Sequence, residues 1–304
     1  MRYVQPAPDL SVSSIALGCM RISQMENDQV RALIETSLES GVNFFDHADI
    51  YGKGQSEVVF GKALKSAPGL REKILIQSKC GIRTGFYDSS KEHILTSVDN
   101  ILLRLDTPYL DVLLIHRPDA LAEPQEMAEA FAQLKTQGKV RYFGVSNHNP
   151  AQMAALQQAA QDKLLFNQLQ VSLMHTPMVD QGINVNTQFD GAVDRDGSLL
   201  AYCKQQGVTV QAWSPFQFGF IKGVFLNNPA YPELNKALLD MAEKYEVSIA
   251  AIAAAWILRL PVQMQVVVGT TTAARVADVT KAADITLSRE DWYALYRAAG
   301  NKLP

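Results

Sequence analysis

The segment Gly41–Gly52 reads GVNFFDHADIYG, and the rest of the chain can be interpreted outward from it. Asn43–Phe45 has the apolar character of a buried strand, and Asp46 follows that strand directly. A short loop then carries Tyr51 before Gly52 turns the chain. Because a phenol titrates near about pH 10, it is a poor acid at neutral pH unless a neighbouring group lowers its pKa. The segment therefore predicts a strand that ends in a functional loop, with a cation supplied by another part of the chain.

Two later apolar runs also end in a polar side chain. Lys79 follows Ile74–Ser78, and His116 follows Asp111–Ile115. In parallel barrels the active site is built at the carboxyl ends of the strands. Three successive strands that end in a carboxylate, a lysine and a histidine therefore predict an active site at that end of a barrel.

Strand-like and helix-like stretches alternate along the whole chain. Each strand candidate is short, apolar and rich in β-branched or large residues, as expected of strands buried on both faces. These candidates are Ser14–Leu17, Asn43–Phe45, Ile74–Ser78, Leu110–Ile115, Val140–Val145, Phe166–Val171, Val208–Trp213 and Gln265–Val268. Amphipathic patterns between them predict helices, among them Asp28–Glu39, Lys91–Leu105, Gln125–Lys135, Ala151–Ala160 and Leu234–Tyr245. Eight such units in alternation predict an α/β protein with a closed (β/α)₈ TIM barrel.

Three further features complete the predicted architecture. No Pro-, Gly- or Ser-rich linker divides residues 1–304, which predicts a single domain. A helix from Ser288 to about Ala299 follows the eighth unit and is expected to pack outside the barrel. Two irregular segments, Ser172–Gly197 and Phe216–Pro232, follow the sixth and seventh strands. Long irregular segments in compact domains tend to be lids or binding loops, so both are candidates for that role.

Composition argues against several classes of function. With 47% hydrophobic and 19% charged residues, the chain has the balance of an ordinary water-soluble globular protein. The net charge of −3 and the lack of a basic run argue against nucleic acid as a partner. No segment approaches the ~20 apolar residues of a membrane span, so a cytoplasmic protein without a membrane partner is expected. Cys19, Cys80 and Cys203 show no CxxC spacing, which argues against a zinc ribbon or a disulfide framework.

The chain lacks the G-x-G-x-x-G fingerprint and the Walker loop, so a dinucleotide would need another binding site. Two segments in the C-terminal third are candidates. Trp213–Phe216 ends the seventh strand with an aromatic ring and a hydroxyl, and Gly269–Thr272 ends the eighth strand with hydroxyls ahead of Arg275. Phosphate sites after the seventh and eighth strands recur in TIM barrels. These segments therefore indicate a site for a phosphate-containing cofactor.

The order Asp46, Tyr51, Lys79, His116 resembles the catalytic tetrad of the aldo-keto reductases, and in particular their bacterial NADPH-dependent oxidoreductase branch. The run GVNFFD followed by ADIYG is also similar to that family's signature. The resemblance implies that Tyr51 donates a proton to a substrate carbonyl and that Lys79 favours the tyrosinate form. It also implies that Asp46 holds Lys79 in place and that His116 orients the carbonyl group.

The resemblance continues through Gly144–His148 and beyond, and it implies contacts with NADPH. The residues implied to hold the nicotinamide are Ser146, Asn147 and Gln168, which contact its carboxamide, and Trp213, which stacks on its ring. Those implied to contact the phosphates are Ser214, Pro215 and Phe216 at the pyrophosphate, and Gly269, Thr270, Thr271 and Arg275 at the adenosine 2′-phosphate.

The chain departs from the family pattern at two positions. Many members carry a lysine where Gly269 stands and an asparagine for the adenine where Val279 stands. The first departure leaves Arg275 as the main partner of the 2′-phosphate. Because a guanidinium can bind phosphate bidentately, NADPH remains favoured over NADH.

The residues and the resemblance together predict an NADPH-dependent reductase of a small-molecule carbonyl substrate. An alternative is a catalytically weak NADP(H)-binding sensor or regulatory subunit, because an intact tetrad permits turnover but does not guarantee it. A barrel glycosidase would need paired carboxylates at strand ends, whereas the fourth, sixth and seventh strands end near His116, Ser172 and Ser214. No metal is expected, since the chain has no His-x-His pair and Lys79 would repel a cation.

Overall fold

Eight parallel strands close into a barrel in the computed structural model, which describes residues 1–304. In chain order the strands are β1 (Tyr3–Ala7), β2 (Leu10–Ser13), β3 (Ile15–Gly18), β4 (Phe44–Asp46), β5 (Leu75–Cys80), β6 (Ile82–Arg83), β7 (Phe86–Tyr87), β8 (Leu110–Ile115), β9 (Val140–Ser146), β10 (Leu164–Gln170), β11 (Thr209–Trp213), β12 (Gln217–Phe218), β13 (Gly223–Val224) and β14 (Met264–Val268). The barrel consists of β3, β4, β5, β8, β9, β10, β11 and β14, and it closes where β14 pairs with β3. The predicted (β/α)₈ barrel is confirmed, and the predicted strands coincide with these barrel strands to within a residue or two at each end.

Helices cover the outside of the barrel. In chain order they are α1 (Asn27–Glu39), α2 (Gln55–Lys65), α3 (Lys91–Leu105), α4 (Pro124–Thr136), α5 (Pro150–Ala159), α6 (Pro177–Ile183), α7 (Leu199–Gln206), α8 (Pro232–Lys244), α9 (Ile249–Leu258), α10 (Ala273–Val279) and α11 (Arg289–Ala298). Several begin at residues that favour helix starts. Asn149 accepts a hydrogen bond from the Gln152 backbone at the start of α5, and Pro150 is the first helical residue.

The predicted C-terminal helix is confirmed as α11, which packs against α8 and α9 outside the barrel. The indole rings of Trp256 and Trp292 stack with their centroids 4.8 Å apart. Each indole N–H donates to the backbone carbonyl of the other tryptophan, at 3.1 and 3.0 Å. Two large apolar rings with satisfied donors therefore fix this helix to the barrel.

The hairpin formed by β1 and β2 covers the amino-terminal end of the barrel, and it was not predicted. Leu10 and Val12 are buried in a small apolar cluster together with Phe44 and Phe166, which lie near the beginnings of their strands. The sequence did contain an indication of this hairpin: Pro8 and Asp9, which favour tight turns, stand between two runs in which apolar and polar residues alternate. The hairpin leaves the carboxyl end of the barrel as the face open to ligands.

The two irregular segments are more structured than predicted. The segment Ser172–Gly197 contains the short helix α6, and Asp180 of that helix accepts a hydrogen bond from the Tyr296 hydroxyl at 2.6 Å. This segment is therefore fixed against α11. The segment Phe216–Pro232 contains the β12–β13 hairpin, which lies beside Trp213. None of the helices is long and apolar enough to cross a membrane.

Candidate active site

Lys79 lies at the centre of the predicted tetrad and is 0% exposed. It sits on β5 beside Asp46, the last residue of β4. Its Nζ atom lies 2.8 Å from the Asp46 carboxylate, 2.7 Å from the His47 carbonyl oxygen and 3.1 Å from the Tyr51 Oη. An ammonium group has three donors and no acceptor, so these three contacts satisfy it as a buried cation.

This geometry decides where the hydroxyl hydrogen of Tyr51 points. Lys79 can only donate, so the Oη atom of Tyr51 accepts the hydrogen bond between them. No other protein group forms a hydrogen bond with this oxygen. The phenol hydrogen is therefore free to be donated to a ligand.

A tight turn after β4 places Tyr51 over the barrel. Gly52 adopts a φ of +57°, a conformation that residues with side chains rarely adopt. A Cβ atom at this position would lie only 2.6 Å from the Cβ of Ser23. Both the backbone conformation and the packing therefore require glycine directly after the phenol.

Burial and charge act in opposite directions on Tyr51. Burial raises the pKa of the phenol, and the positive charge of Lys79 offsets only part of this effect. Burial alone would lower the pKa of Lys79, but Asp46 and Tyr51 more than offset it, so the pKa of the ammonium is raised. The charge of Lys79 thus acts in the expected direction, but burial outweighs it, so the pKa of the phenol lies above its ordinary value and the phenol is protonated at neutral pH.

His116 stands directly after β8, beside Tyr51. The centroids of the two rings are 6.1 Å apart, and the rings are nearly perpendicular. Burial and the charges of Lys79 and Arg117 lower the pKa of His116 well below its ordinary value, so the imidazole is neutral. Its Nδ1 atom is buried without a partner. A neutral imidazole keeps one N–H donor, which suits a group that holds a carbonyl oxygen.

Three glutamines fill the barrel interior beneath the tetrad, and they were not among the predicted site residues. Gln77, Gln211 and Gln265 are all 0% exposed. Gln77 donates to Oδ1 of Asp46 at 2.6 Å and to Gln211 at 3.0 Å, and Gln211 donates to Gln265 at 2.8 Å. Gln265 in turn donates to the Ser13 carbonyl at 2.7 Å. The sequence indicated this layer only by a single glutamine within each of three otherwise mainly apolar strands.

The residues implied to hold the nicotinamide lie together at the ends of β9, β10 and β11. The hydroxyl of Ser146 donates to the Gln168 carbonyl at 2.8 Å, and the Asn147 amide donates to the Ser146 hydroxyl at 2.8 Å. The indole of Trp213 donates to the Asn147 side chain at 3.3 Å. The side-chain amide of Gln168 donates to Oδ1 of Asp46 at 3.0 Å, which joins this group directly to the tetrad.

Two backbone positions in this group adopt left-handed conformations that are rare outside glycine. Asn147 has a φ of +58° and Ser214 has a φ of +51°. Such conformations cost free energy and concentrate at functional sites. The turn that begins at Ser214 continues through Pro215, which is buried, to Phe216, which packs against the core. This turn follows β11, where a pyrophosphate contact was expected.

The residues implied to bind the 2′-phosphate follow β14. Gly269, Thr271 and Arg275 are exposed, and the Arg275 side chain forms no hydrogen bond or ion pair with another residue. The hydroxyl of Thr270 accepts a hydrogen bond from the Thr272 backbone at 3.1 Å. Val279 is buried in the core, so it offers an adenine no polar contact.

The histidine next to Asp46, His47, is not part of the pocket. His47 is buried, with its ring 4.5 Å from that of Phe60 on α2, and burial lowers its pKa to about 3. It therefore lies between the barrel and α2 as a neutral ring. No group of three or more His, Cys, Asp or Glu side chains converges in a way that could hold a metal ion. A cavity of about 820 Å³ lies elsewhere, between α6, α7 and α11.

The donor set at the carboxyl end of the barrel fits a nicotinamide dinucleotide. Amide and hydroxyl groups from Ser146, Asn147 and Gln168 are contiguous next to the tetrad. An indole ring stands beside them, and an unpaired guanidinium follows β14. The arrangement supplies polar contacts for a carboxamide, an aromatic face for its ring and a cation for a phosphate.

Comparison with known proteins agrees with this geometry. The sequence model described as "Aldo/keto reductase family" matches residues 14–299. The oxidoreductase YdhF of Escherichia coli is 37% identical over 298 residues, which cover 94% of this chain and 93% of that protein. A 6-dehydroglucose reductase of Agrobacterium fabrum is 34% identical over 315 residues, which cover 99% of each chain.

A solved structure of another family member has the same fold. An aldo/keto reductase from Klebsiella pneumoniae, in complex with NADP and acetate, superposes with a TM-score of 0.75. The two sequences are 26% identical, and the match covers 96% of this chain and 93% of that one. The barrel, the arrangement of the tetrad and these matches lead to one conclusion: this chain is an oxidoreductase of the aldo/keto reductase family.

Proposed function

We propose that the protein reduces the carbonyl group of an aldehyde or ketone to an alcohol, with NADPH as cofactor and Tyr51 as proton donor. The observation that carries this proposal is the hydrogen bond between Lys79 Nζ and Tyr51 Oη, at 3.1 Å. Because the ammonium is the donor in that bond, the phenol keeps its own hydrogen for the carbonyl oxygen of a substrate. A positioned general acid contributes about 10²–10⁴-fold to a rate.

Each member of the tetrad has a separate task in this proposal. Bound NADPH supplies the hydride. Tyr51 gives its proton to the substrate oxygen, and the ammonium of Lys79 stabilises the tyrosinate that remains. Asp46 keeps the ammonium charged, because it is the buried carboxylate in contact with it. The N–H group of neutral His116 holds the substrate oxygen and stabilises the negative charge that develops there.

The proposed contacts with the cofactor use the second group of residues. Those assigned to the nicotinamide are Ser146, Asn147, Gln168 and Trp213; those assigned to the pyrophosphate are Ser214, Pro215 and Phe216; and those assigned to the 2′-phosphate are Gly269, Thr270, Thr271 and Arg275. The unpaired charge of Arg275 supports NADPH over NADH, since only NADPH carries a 2′-phosphate. The NADP bound to the relative from Klebsiella pneumoniae supports the same choice.

The proposal is tested by following NADPH oxidation with a panel of aldehydes, ketones and diketones. The name of the Agrobacterium relative supports including sugar-derived carbonyl compounds. We expect turnover of at least one compound, with one alcohol formed for each NADPH oxidised. Tight NADPH binding without turnover of any compound would contradict the proposal and favour a sensor or regulatory subunit that uses the same fold.

A further inference from the structure

Arg117 lies at the mouth of the active site without a protein partner for its charge. It follows His116 at the end of β8, and its guanidinium carbon lies 5.7 Å from the Trp213 ring and 5.8 Å from the Phe220 ring. The side chain is half-buried, yet none of its five N–H donors forms a hydrogen bond or an ion pair with another residue.

Arginines on the outside of the same barrel differ from Arg117. Arg71 pairs with Asp111 at 2.9 Å, and Arg104 pairs with Glu57 at 2.7 Å. In those cases a buried carboxylate satisfies the guanidinium. Arg117 instead lies against aromatic rings, which hold a cation by its interaction with their faces but leave its N–H donors unused.

Carboxylates in the loops around Arg117 are already engaged elsewhere. Asp88 accepts hydrogen bonds from the backbone and the hydroxyl of Ser90, at 3.1 and 2.7 Å. Asp119 accepts hydrogen bonds from the backbone amides of Ser89 and Leu121, each at 2.9 Å. Hydrogen-bond donors of these loops therefore satisfy both carboxylates, and Arg117 is left as a cation facing the pocket.

Exposed aromatic side chains lie beside this cation and on the β6–β7 hairpin. Phe86 and Tyr87 of the β6–β7 hairpin are 56% and 48% exposed, and Phe220 is 63% exposed. The rings of Trp213 and Phe220 meet edge to face, with centroids 6.0 Å apart. An exposed aromatic ring, Phe220, and the indole of Trp213 beside one unpaired cation suit a ligand with an apolar body and a negative group.

We propose that Arg117 binds an anionic group on the carbonyl substrate, so that the preferred substrates are aldehydes that carry a carboxylate on an apolar body. This inference rests on the proposed reductase function and specifies its substrate class. A guanidinium binds a carboxylate through two parallel N–H···O bonds, which fixes the orientation of the substrate as well as its affinity. The position of Arg117 next to His116 places this contact beside the group assigned to the carbonyl oxygen.

The test uses 4-formylbenzoate and its methyl ester, which share the benzaldehyde body; the ester lacks the negative charge and carries one added methyl group. The wild type is expected to prefer the carboxylate in kcat/KM by about tenfold to a hundredfold, the range of a charge-assisted hydrogen bond. In Arg117→Ala this preference should fall to about one, through loss of activity on the carboxylate, while kcat/KM for the ester stays within about twofold. Arg117→Lys should recover part of the preference, because a lysine keeps the charge but not the paired donors.

Arg83→Ala provides a matched control on the neighbouring hairpin. Arg83 contacts the ring of His93 at 3.0 Å and lies over Phe86. The substitution therefore removes a nearby positive charge that, unlike Arg117, already has a hydrogen-bond partner in the protein. We expect the substrate preference to stay unchanged in this variant. Equal losses on acid and ester in Arg117→Ala, or a wild type without preference for the acid, would overturn the inference. So would a preference for neutral sugar aldehydes that depends on Arg117.

A binding measurement separates this inference from the proposed reaction. Benzoate is titrated calorimetrically into wild type and Arg117→Ala, each saturated with NADP⁺, so that no turnover is needed. Weaker binding to the variant, by about tenfold or more, supports the anion site even if the wild type reduces none of the carbonyl compounds tested. In that case the reductase function would fail and the anion site would stand. Equal affinity in both proteins would overturn the anion site alone.

Discussion

The two halves of the site differ in how far the protein itself organises them. In the half built by β4, β5 and β8, Lys79 is buried and all three of its donors are satisfied by the protein. In the half that follows β14, Thr271 and Arg275 are exposed and the guanidinium has no partner. Groups that must hold a fixed charge during a reaction benefit from preorganisation. Groups that bind a charged ligand keep their donors unpaired until the ligand arrives.

Changes in the two halves should therefore have different effects. Substitutions in the preorganised half should affect turnover and stability, because they leave buried groups unsatisfied. Substitutions in the open half should affect cofactor affinity and leave the fold intact. The following experiments test this difference, in order of decreasing expected effect.

Tyr51→Phe should reduce carbonyl reduction by about 10²–10⁴-fold, since it removes the proposed proton donor. NADPH affinity should remain close to that of the wild type, because no proposed cofactor contact is lost. Steady-state rates and a fluorescence titration with NADPH measure the two quantities separately. Wild-type turnover in this variant would show that the proton comes from another group.

Lys79→Met should lose activity to a similar extent and should also change the pH profile. Tyr51 must be protonated to act as an acid, so activity is present below its pKa and is lost as the pH rises through it. Burial holds this pKa above the ordinary value of about 10, while the charge of Lys79 lowers it. Without Lys79 the alkaline loss should move to higher pH or vanish, and an unmoved limb would contradict the coupling.

The same variant should be less stable, since Asp46 would be left as a buried carboxylate without its cation. Breaking a buried ion pair by removing one partner costs about 3–5 kcal/mol. Denaturant unfolding measures this loss and separates it from the effect on the rate. Lys53→Met, in the loop after Tyr51, is a control: Lys53 forms no ion pair and its removal should leave stability nearly unchanged.

Arg275→Ala should weaken NADPH binding by about tenfold to a hundredfold, the equivalent of about 1.5–3 kcal/mol for a charge-assisted hydrogen bond. NADH binding should not change, because NADH has no 2′-phosphate. Titration of both cofactors, with Trp213 as the fluorescence reporter, gives the two affinities. Equal loss for both cofactors, or loss for neither, would show that Arg275 does not bind the 2′-phosphate.

Gln77→Leu tests whether the glutamine layer supports the tetrad. The substitution removes the 2.6 Å hydrogen bond to Asp46 and leaves Gln211 without one partner. We expect the free energy of unfolding to fall by about 1–3 kcal/mol and kcat to fall by up to about tenfold. Unfolding curves and rates measured at saturating NADPH check both values. An unchanged free energy of unfolding would mean that this hydrogen bond makes no net contribution to stability.

Gly269→Lys should have the smallest effect, a gain of about twofold to fivefold in NADPH affinity from one added exposed cation. The substitution should be tolerated, since a Cβ atom at this position would meet nothing within 4 Å. Gly269→Gln is the control, because it adds similar bulk without charge. If both variants gained equally, the added charge would not be the cause.

The sequence alone determined the strand positions and the order of the tetrad. Apolar runs such as Leu110–Ile115 are buried on both faces, so their composition identifies them without tertiary information. The polar residue at the end of each run then falls at one rim of the barrel, because all the strands are parallel. Asp46 and Lys79 could be placed together for that reason.

Tertiary structure alone decided the relations between residues that are distant in the sequence. Gln77 and Gln211 are 134 positions apart, and nothing local indicates that their amides meet. The pKa of Tyr51 also depends on the fold, because burial raises it by more than the nearby charge of Lys79 lowers it. Whether Arg117 finds a carboxylate or remains unpaired likewise depends on which loops converge at the rim. Hydrophobic periodicity is a local property of the chain, whereas burial, pairing and charge balance arise only when distant segments pack together.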